Sequence, residues 1–370
     1  MKIVVDATSI LLPSAGVKNY IYWWLQALLR RAAPGTISAY PFLNNLGGLD
    51  HLRPPLDPVK ARLRRILVNL ANIRGNRLID ILHSDADIFH ASQHVANPPR
   101  RPFLTATVFD MTCWLLPDTH TSENVAATKW HAERILKRAG GLISISECSR
   151  RDALDILKLP ADRIEVIYPG VADYFFDVNM AAVEAARRKY LLERPYLLHI
   201  GMLEPRKNID TLLDAYIMLP DSLRAHCELV LAGPVGWRSE KLVKRLKNQP
   251  GVRVLGYVPE TDLPGLLKGA EMLVYPSLYE GFGFPLAQAM AAGVPAIASN
   301  VSSLPEIAGE AALLIDPRTP GELSAAIELV LTSSDTSARL RVCGRSQAAR
   351  FNWDKCGDES LRFFAKYRRS

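Results

Sequence analysis

The sequence predicts an α/β protein of two doubly wound domains, and three observations carry that expectation. Short apolar, β-branched runs alternate with longer helical patterns along the whole chain. The runs are continuously apolar, which marks parallel strands covered on both faces. The length, 370 residues, is long for one domain and comfortable for two, each able to bury its own core.

In order, the strands are expected at Lys2–Asp6, Ser38–Phe42, Asp87–His90, Leu104–Phe109, Leu142–Ser146 and Arg163–Tyr168. The second set is Tyr196–Gly201, Glu228–Ala232, Val252–Leu255, Met272–Tyr275, Ala296–Ser299 and Ala312–Ile315. Helices fill the intervals. The pattern loosens from Asp173 to Glu193, so domains are expected at 1–178 and 179–351. In open parallel sheets ligands bind beyond the carboxyl ends of the strands, which places the expected site in a cleft between two such domains.

Composition excludes several classes. The chain is 48% hydrophobic and 22% charged, without repeats, so extended disorder is not expected. The charge-free window Gly281 to Asn300 holds three Gly, two Pro and a Gln, which suits a loop and buried helix better than a membrane span. Residues 1–6 read at once as a strand, so an intracellular, cytoplasmic chain is expected. Cys113, Cys148, Cys227, Cys343 and Cys356 lack CxxC spacing and read as reduced core thiols.

The net charge of +7 owes much to Arg53, Lys60, Arg62, Arg64, Arg65, Arg74 and Arg77, among which Asp57 is the only acid. Ile66, Leu67, Leu70 and Ile73 interleave with these bases at helical spacing. Two readings follow for 60–77: a basic amphipathic helix on anionic lipid at the inner membrane face, or a solvated face of a surface helix. No aromatic–basic stacking motif argues for nucleic acid.

Two loops of the second half carry the chemistry. After Tyr196–Gly201 come Glu204-Pro205-Arg206-Lys207-Asn208 and a helix from Ile209, with Asn208 as the expected N-cap. Arg206 and Lys207 then sit at the positive end of a helix dipole, an arrangement that makes sense if an anion, best a diphosphate, bridges them. The alternative is a pair of solvated charges, one paired with Glu204. After Met272–Tyr275 comes Tyr279-Glu280-Gly281-Phe282-Gly283-Phe284-Pro285, then a helix closed by Gly293. The glycines let backbone N–H groups approach a ligand, and Glu280 is a carboxylate in an apolar stretch, suited to sugar hydroxyls or a developing oxocarbenium charge.

These residues resemble glycosyltransferase family 4, the group 1 glycosyltransferases: retaining enzymes of the GT-B fold, two Rossmann-like domains facing a central cleft. The likeness is strongest from Pro195 to Pro317 and takes in Gly201, the Arg206-Lys207 loop, Gly233-Pro234, Gly256-Tyr257-Val258, Glu280 to Gly283, Gly293-Val294-Pro295 and Ser303-Leu304-Pro305-Glu306. It implies that Arg206 and Lys207 bind the donor diphosphate. Glu280, Gly281, Phe282, Gly283 and Phe284 hold the donor sugar, and Tyr257-Val258 border the base. The family's second glutamate, which grips the ribose, falls at Gln288.

In the first half, Gly16 and its neighbours to Tyr20 match the family's glycine loop near the phosphates, and Asp110 matches the aspartate of a His-Asp pair whose histidine is here Phe109. Asp110 is the residue expected to orient an acceptor hydroxyl. His90, His94 and His120 are candidate substitutes for the histidine, each more readily read as structural. Asp85-Ala86-Asp87 looks like the metal pair of another glycosyltransferase fold but reads as a strand-entry turn, so no metal and no cofactor are expected. Phe351-Asn352-Trp353-Asp354 resembles the family's C-terminal signature, whose helix (352–370) returns to the N-terminal domain with Leu361, Phe363, Phe364 and Tyr367 packing.

The resemblance implies hexose transfer, with mannose from GDP-mannose as the preferred donor. The acceptor is a saccharide or lipid-linked hydroxyl in surface polysaccharide or glycolipid synthesis. A non-catalytic nucleotide-sugar-binding subunit and a sugar-nucleotide epimerase of the same fold stay open as alternatives.

Overall fold

The structure, a computed structural model, describes all residues except 14–15, 44, 51, 54–55, 74–76, 248 and 368–370. The first six strands are β1 Ile3–Asp6, β2 Ile37–Tyr40, β3 Ile88–Ala91, β4 Phe103–Val108, β5 Gly141–Ser144 and β6 Ile164–Val166. The next six are β7 Tyr196–Ile200, β8 Glu228–Ala232, β9 Val252–Gly256, β10 Met272–Tyr275, β11 Ala296–Ser299 and β12 Leu313–Ile315. Each expected strand is present, with its ends moved by a residue or two at most.

They form two parallel sheets, ordered β2-β1-β3-β4-β5-β6 and β12-β11-β10-β7-β8-β9. β1, β3, β5, β7, β8, β10 and β11 are buried at every position, as continuous apolar runs require. In each sheet the winding reverses once, at β1/β3 and at β7/β10. The loops after those strands therefore flank the two places where open sheets hold ligands.

The chain divides into two compact units. The first comprises Met1–Trp114, Ser122–Gly170 and the segment from Asn352; the second comprises Leu115–Thr121 and Val171–Phe351. The division thus falls before the 178/179 boundary read from the loosening pattern. The Val171 amide already donates to Phe351 O (3.0 Å) and Phe175 is fully buried, so packing begins before the periodic pattern does. Leu115–Thr121 joins the second unit because Trp237 Nε1 donates to Thr119 O (2.7 Å).

The last helix, Trp353–Ala365, belongs to the first unit and packs along the helix Gly16–Arg31. Asn352 caps it by accepting from the Asp354 and Lys355 amides. Trp24 Nε1 donates to Ser360 Oγ (2.8 Å), Arg31 forms a forked pair with Asp358, and Phe363 and Phe364 are fully buried. Gly357 lets the two helices approach, since a Cβ there would lie 3.3 Å from the Ala27 backbone. Among the described residues no helix is long and apolar enough to cross a membrane, and no group of three or more His, Cys, Asp or Glu is arranged to hold a metal ion. Asp85 and Asp87 both engage Lys2, Asp87 through the backbone amide (2.7 Å).

Candidate active site

In the second unit the loops after β7 and β10 meet at the winding reversal and form one ion cluster. Arg206 and Lys207 lie in a 3-10 turn, Pro205–Lys207, directly before the helix Ile209–Met218. Arg206 pairs with Glu204 (2.6 Å) and Glu280 Oε2 (2.9 Å) and donates to Tyr279 O (2.7 Å). Lys207 Nζ reaches Glu280 Oε1 (2.5 Å) and the Tyr275 hydroxyl (2.8 Å), and that hydroxyl donates to the same oxygen (2.8 Å). The sequence pointed to Arg206, Lys207 and Glu280 separately; the fold brings them into contact.

One expectation about these loops needs correction. Asn208 is not a side-chain N-cap: its φ of 57° delivers the chain in a left-handed turn, so Nδ2 donates instead to Pro276 O and Pro317 O. The Arg206–Lys207 pair also meets the chain's own carboxylates, Glu204 and Glu280. Burial opposes the charge of Glu280, but Arg206 and Lys207 prevail and hold its pKa down at about 2. Burial also pulls the Lys207 pKa down, against the attraction of Glu280. His199 beside them is held neutral: burial lowers its pKa to about 4, and its Nδ1 donates to Val274 O.

The surrounding residues set the shape of the loops. Gly233 is demanded by close approach, since a Cβ there would lie 1.9 Å from Gly201 O. The Leu203 amide donates to Pro234 O, tying the loops after β7 and β8. Tyr257 and Val258 follow β9, Val258 buried and Tyr257 half-buried. The Glu280 backbone is clamped by Ser302, whose Oγ accepts its amide (3.0 Å), and by Ser303, which donates to its carbonyl (2.9 Å). Gly283, at φ 94°, starts the helix Phe284–Ala291, with Pro285 in its first turn and Gly293 (φ 64°) past its end. Phe282 packs edge-on against Phe351, so only the backbone of this Gly281–Gly283 turn is available to a ligand. Gln288 is buried one turn into the helix.

Sequence reasoning missed Tyr275 as a hydroxyl donor and the Ser302–Ser303 clamp, whereas the pairing of one loop cation with Glu204 stood among its alternatives and is present. A signal existed for Tyr275, a tyrosine ending an apolar strand, whose hydroxyl needs a partner once buried.

In the first unit, Gly16 begins its helix and a Cβ there would meet nothing within 4 Å. Two residues on, Lys18 is fully buried, donating to Asp50 O (2.5 Å) and Arg53 O (2.7 Å); burial lowers its pKa to about 8 against the pull of Asp50. Asp110 is half-buried after β4, its Oδ1 accepting from the Thr112 amide (2.9 Å) and hydroxyl (2.7 Å). Phe109 packs edge-on against Tyr20. His90 is structural: both ring nitrogens bond Thr105 and Thr107, and burial lowers its pKa to about 3. His120 belongs to the second unit, where it stacks on Trp237. At the reversal point Asp6 is fully buried, accepting from the Ser92 amide and hydroxyl and the Thr8 amide. Burial lowers the pKa of His94, and that of His131 to about 4, while the charge of Asp6 opposes both shifts.

Known proteins are similar to this chain in sequence and in fold. Residues 183–347 match the family model described as glycosyl transferases group 1. Over 268 residues the chain is 35% identical to O-antigen chain mannosyltransferase B of Escherichia coli, covering 71% of this chain and 70% of that one. Over 320 residues it is 27% identical to the MMP alpha-(1->4)-mannosyltransferase of Mycolicibacterium hassiacum, 80% of this chain and 74% of that one. In fold it is similar to Anabaena Alr3699/HepE, solved in complex with UDP, with a TM-score of 0.70 at 17% identity over 99% of this chain and 100% of that one.

Proposed function

We propose, from the premise that the chain belongs to the group 1 glycosyltransferases, that it moves mannose from GDP-mannose to a saccharide or lipid-linked hydroxyl with retention of configuration. The product is a cell-surface polysaccharide or glycolipid, made on the cytoplasmic side without a resident metal or cofactor. The observation that carries the reading is the Arg206–Lys207–Glu280 cluster at the β7/β10 reversal. Both relatives are named as mannosyltransferases, which supports the choice of sugar.

The chemistry follows from the charges. Arg206 and Lys207 are preorganised cations, and a departing diphosphate is the anion that gains most from them, so leaving-group stabilisation is the largest catalytic contribution. Glu280 Oε2, which pairs with Arg206, has further lone-pair capacity and offers it to a sugar hydroxyl. The amides of Gly281 to Gly283 and the start of the Phe284 helix face the same ligand. Gly16 has no packing neighbour that requires a glycine, which suits close approach of its backbone to phosphate. Asp110 uses Oδ1 for Thr112 and has Oδ2 to orient the acceptor hydroxyl.

The test is turnover by Arg206→Ala with Lys207→Ala, expected to fall by at least about a hundredfold at saturating donor. Near-normal turnover overturns the assignment. Thermal stabilisation across GDP- and UDP-sugars checks the donor: the preferred one, at a hundred times its Kd, adds about 2.7 kcal/mol. The substitutions at Gln288 and Phe109 favour one second reading, a non-catalytic donor-binding subunit, which slow donor hydrolysis by the isolated chain would exclude.

A further inference from the structure

The helix Pro58–Asn72 is amphipathic in an unusual sense, because most of its larger apolar residues face solvent, Leu67 being half-buried and Val68 buried. Val59, Leu63, Ile66, Leu70 and the C-cap Ile73 are 48–66% exposed, while Ala61, Val68 and Ala71 are the buried positions. At helical spacing the five exposed side chains fall within an arc of about 80°, roughly opposite the buried three. Exposed Lys60 lies on one flank of the arc and exposed Arg62 and Arg65 on the other. Arg64 is not free, since its guanidinium donates to Pro41 O and Phe42 O, fastening the turn that carries exposed Phe42 to the helix. Arg74 lies outside the described residues. From Leu52 to Ile73 the chain has Asp57 as its only acid, and its Oδ1 caps the helix.

We propose that this stripe is a docking face for an anionic bilayer: the five apolar side chains enter the headgroup–acyl boundary while Lys60, Arg62 and Arg65 meet lipid phosphates. An uncovered apolar stripe of this length, on a helix about 22 Å long, is the mark of an interaction surface. Its basic flanks decide the occupant. A second copy would set like charges against like, whereas an anionic surface pairs with both flanks at once. The stripe refines the two readings of the basic segment, since the face turned to water is apolar with bases at its margins. The inference deepens the proposed function and rests on it in one respect, that the bilayer is where the lipid-linked acceptor is met.

Flotation of the full chain with vesicles of phosphatidylglycerol and phosphatidylcholine, without donor, tests it. Wild type is expected to float with phosphatidylglycerol vesicles and not with phosphatidylcholine alone. Leu63→Gln with Ile66→Gln, both exposed sites, should weaken partitioning at least about tenfold. Lys60→Gln, Arg62→Gln and Arg65→Gln together should weaken it about a hundredfold at low salt. No flotation, or flotation unchanged in the apolar variant, overturns the proposal. So does self-association in sedimentation that the apolar variant abolishes while wild type ignores vesicles. GDP-mannose stabilisation is measured on the same variants: its loss in wild type would sink the donor assignment and leave the docking result standing.

Discussion

At the residue scale the decisive group is Glu280, whose carboxylate is the partner of both loop cations. With its pKa lowered from 4.5 to about 2, it contributes stability that is complete above its ordinary pKa. That contribution, about 3 kcal/mol, is lost as pH falls through 4.5 toward 2. Glu280→Gln should therefore lower urea stability at neutral pH by about 3–5 kcal/mol and flatten the decline between pH 5 and 2; an unchanged acid limb would count against the cluster. Gln288 makes the opposite prediction. Gln288→Glu, by restoring a charge-assisted acceptor for ribose, should tighten donor binding about tenfold in calorimetry. The cluster itself was only half legible. The Arg206-Lys207 pair and Glu280 stand out in sequence, but nothing local states that residues 73 positions apart share a proton-tight contact. The pairing with Glu204, two residues from Arg206, was legible as an alternative and adds a second carboxylate to the cluster.

At the scale of elements, periodicity told which residues share a face and not which way the face turns. The Pro58–Asn72 helix shows this: its spacing of Ile66, Leu70 and Ile73 is ordinary, and only packing through Ala61, Val68 and Ala71 reveals that the larger side chains lie outside. Asn208 taught a related lesson, because a preferred cap residue was read from type alone while a preceding 3-10 turn set its backbone. The Gly16–Arg31 and Trp353–Ala365 helices pack closely at Gly357, so the branched side chain of Gly357→Val should cost about 1–3 kcal/mol in urea unfolding. A variant as stable as wild type would mean that the two helices can separate slightly without loss.

At the scale of the molecule, twelve parallel strands were legible because burial on both faces leaves an unbroken apolar run in each. The unit boundaries were less so, since Leu115–Thr121 joins the second unit through contacts with Trp237 and Arg238 that no periodicity reports. Removal of the chain from Asn352 onward should uncover Trp24 and His90, which pack against Phe364. Hydrogen exchange should then quicken in β1 and β3 and stay slow in β7, β8 and β10; uniform protection would refute that division of stability. The ion cluster has a kinetic consequence as well. Arg206, Lys207, Glu204 and Glu280 sum to zero, so the molecule's charge of +7 is carried elsewhere. A neutral quartet casts little field into solvent, and a donor arriving there is captured by exchange of partners at contact instead of being drawn in from a distance. Donor association should thus be slow and nearly indifferent to ionic strength, with selectivity residing in how long the bound sugar nucleotide stays.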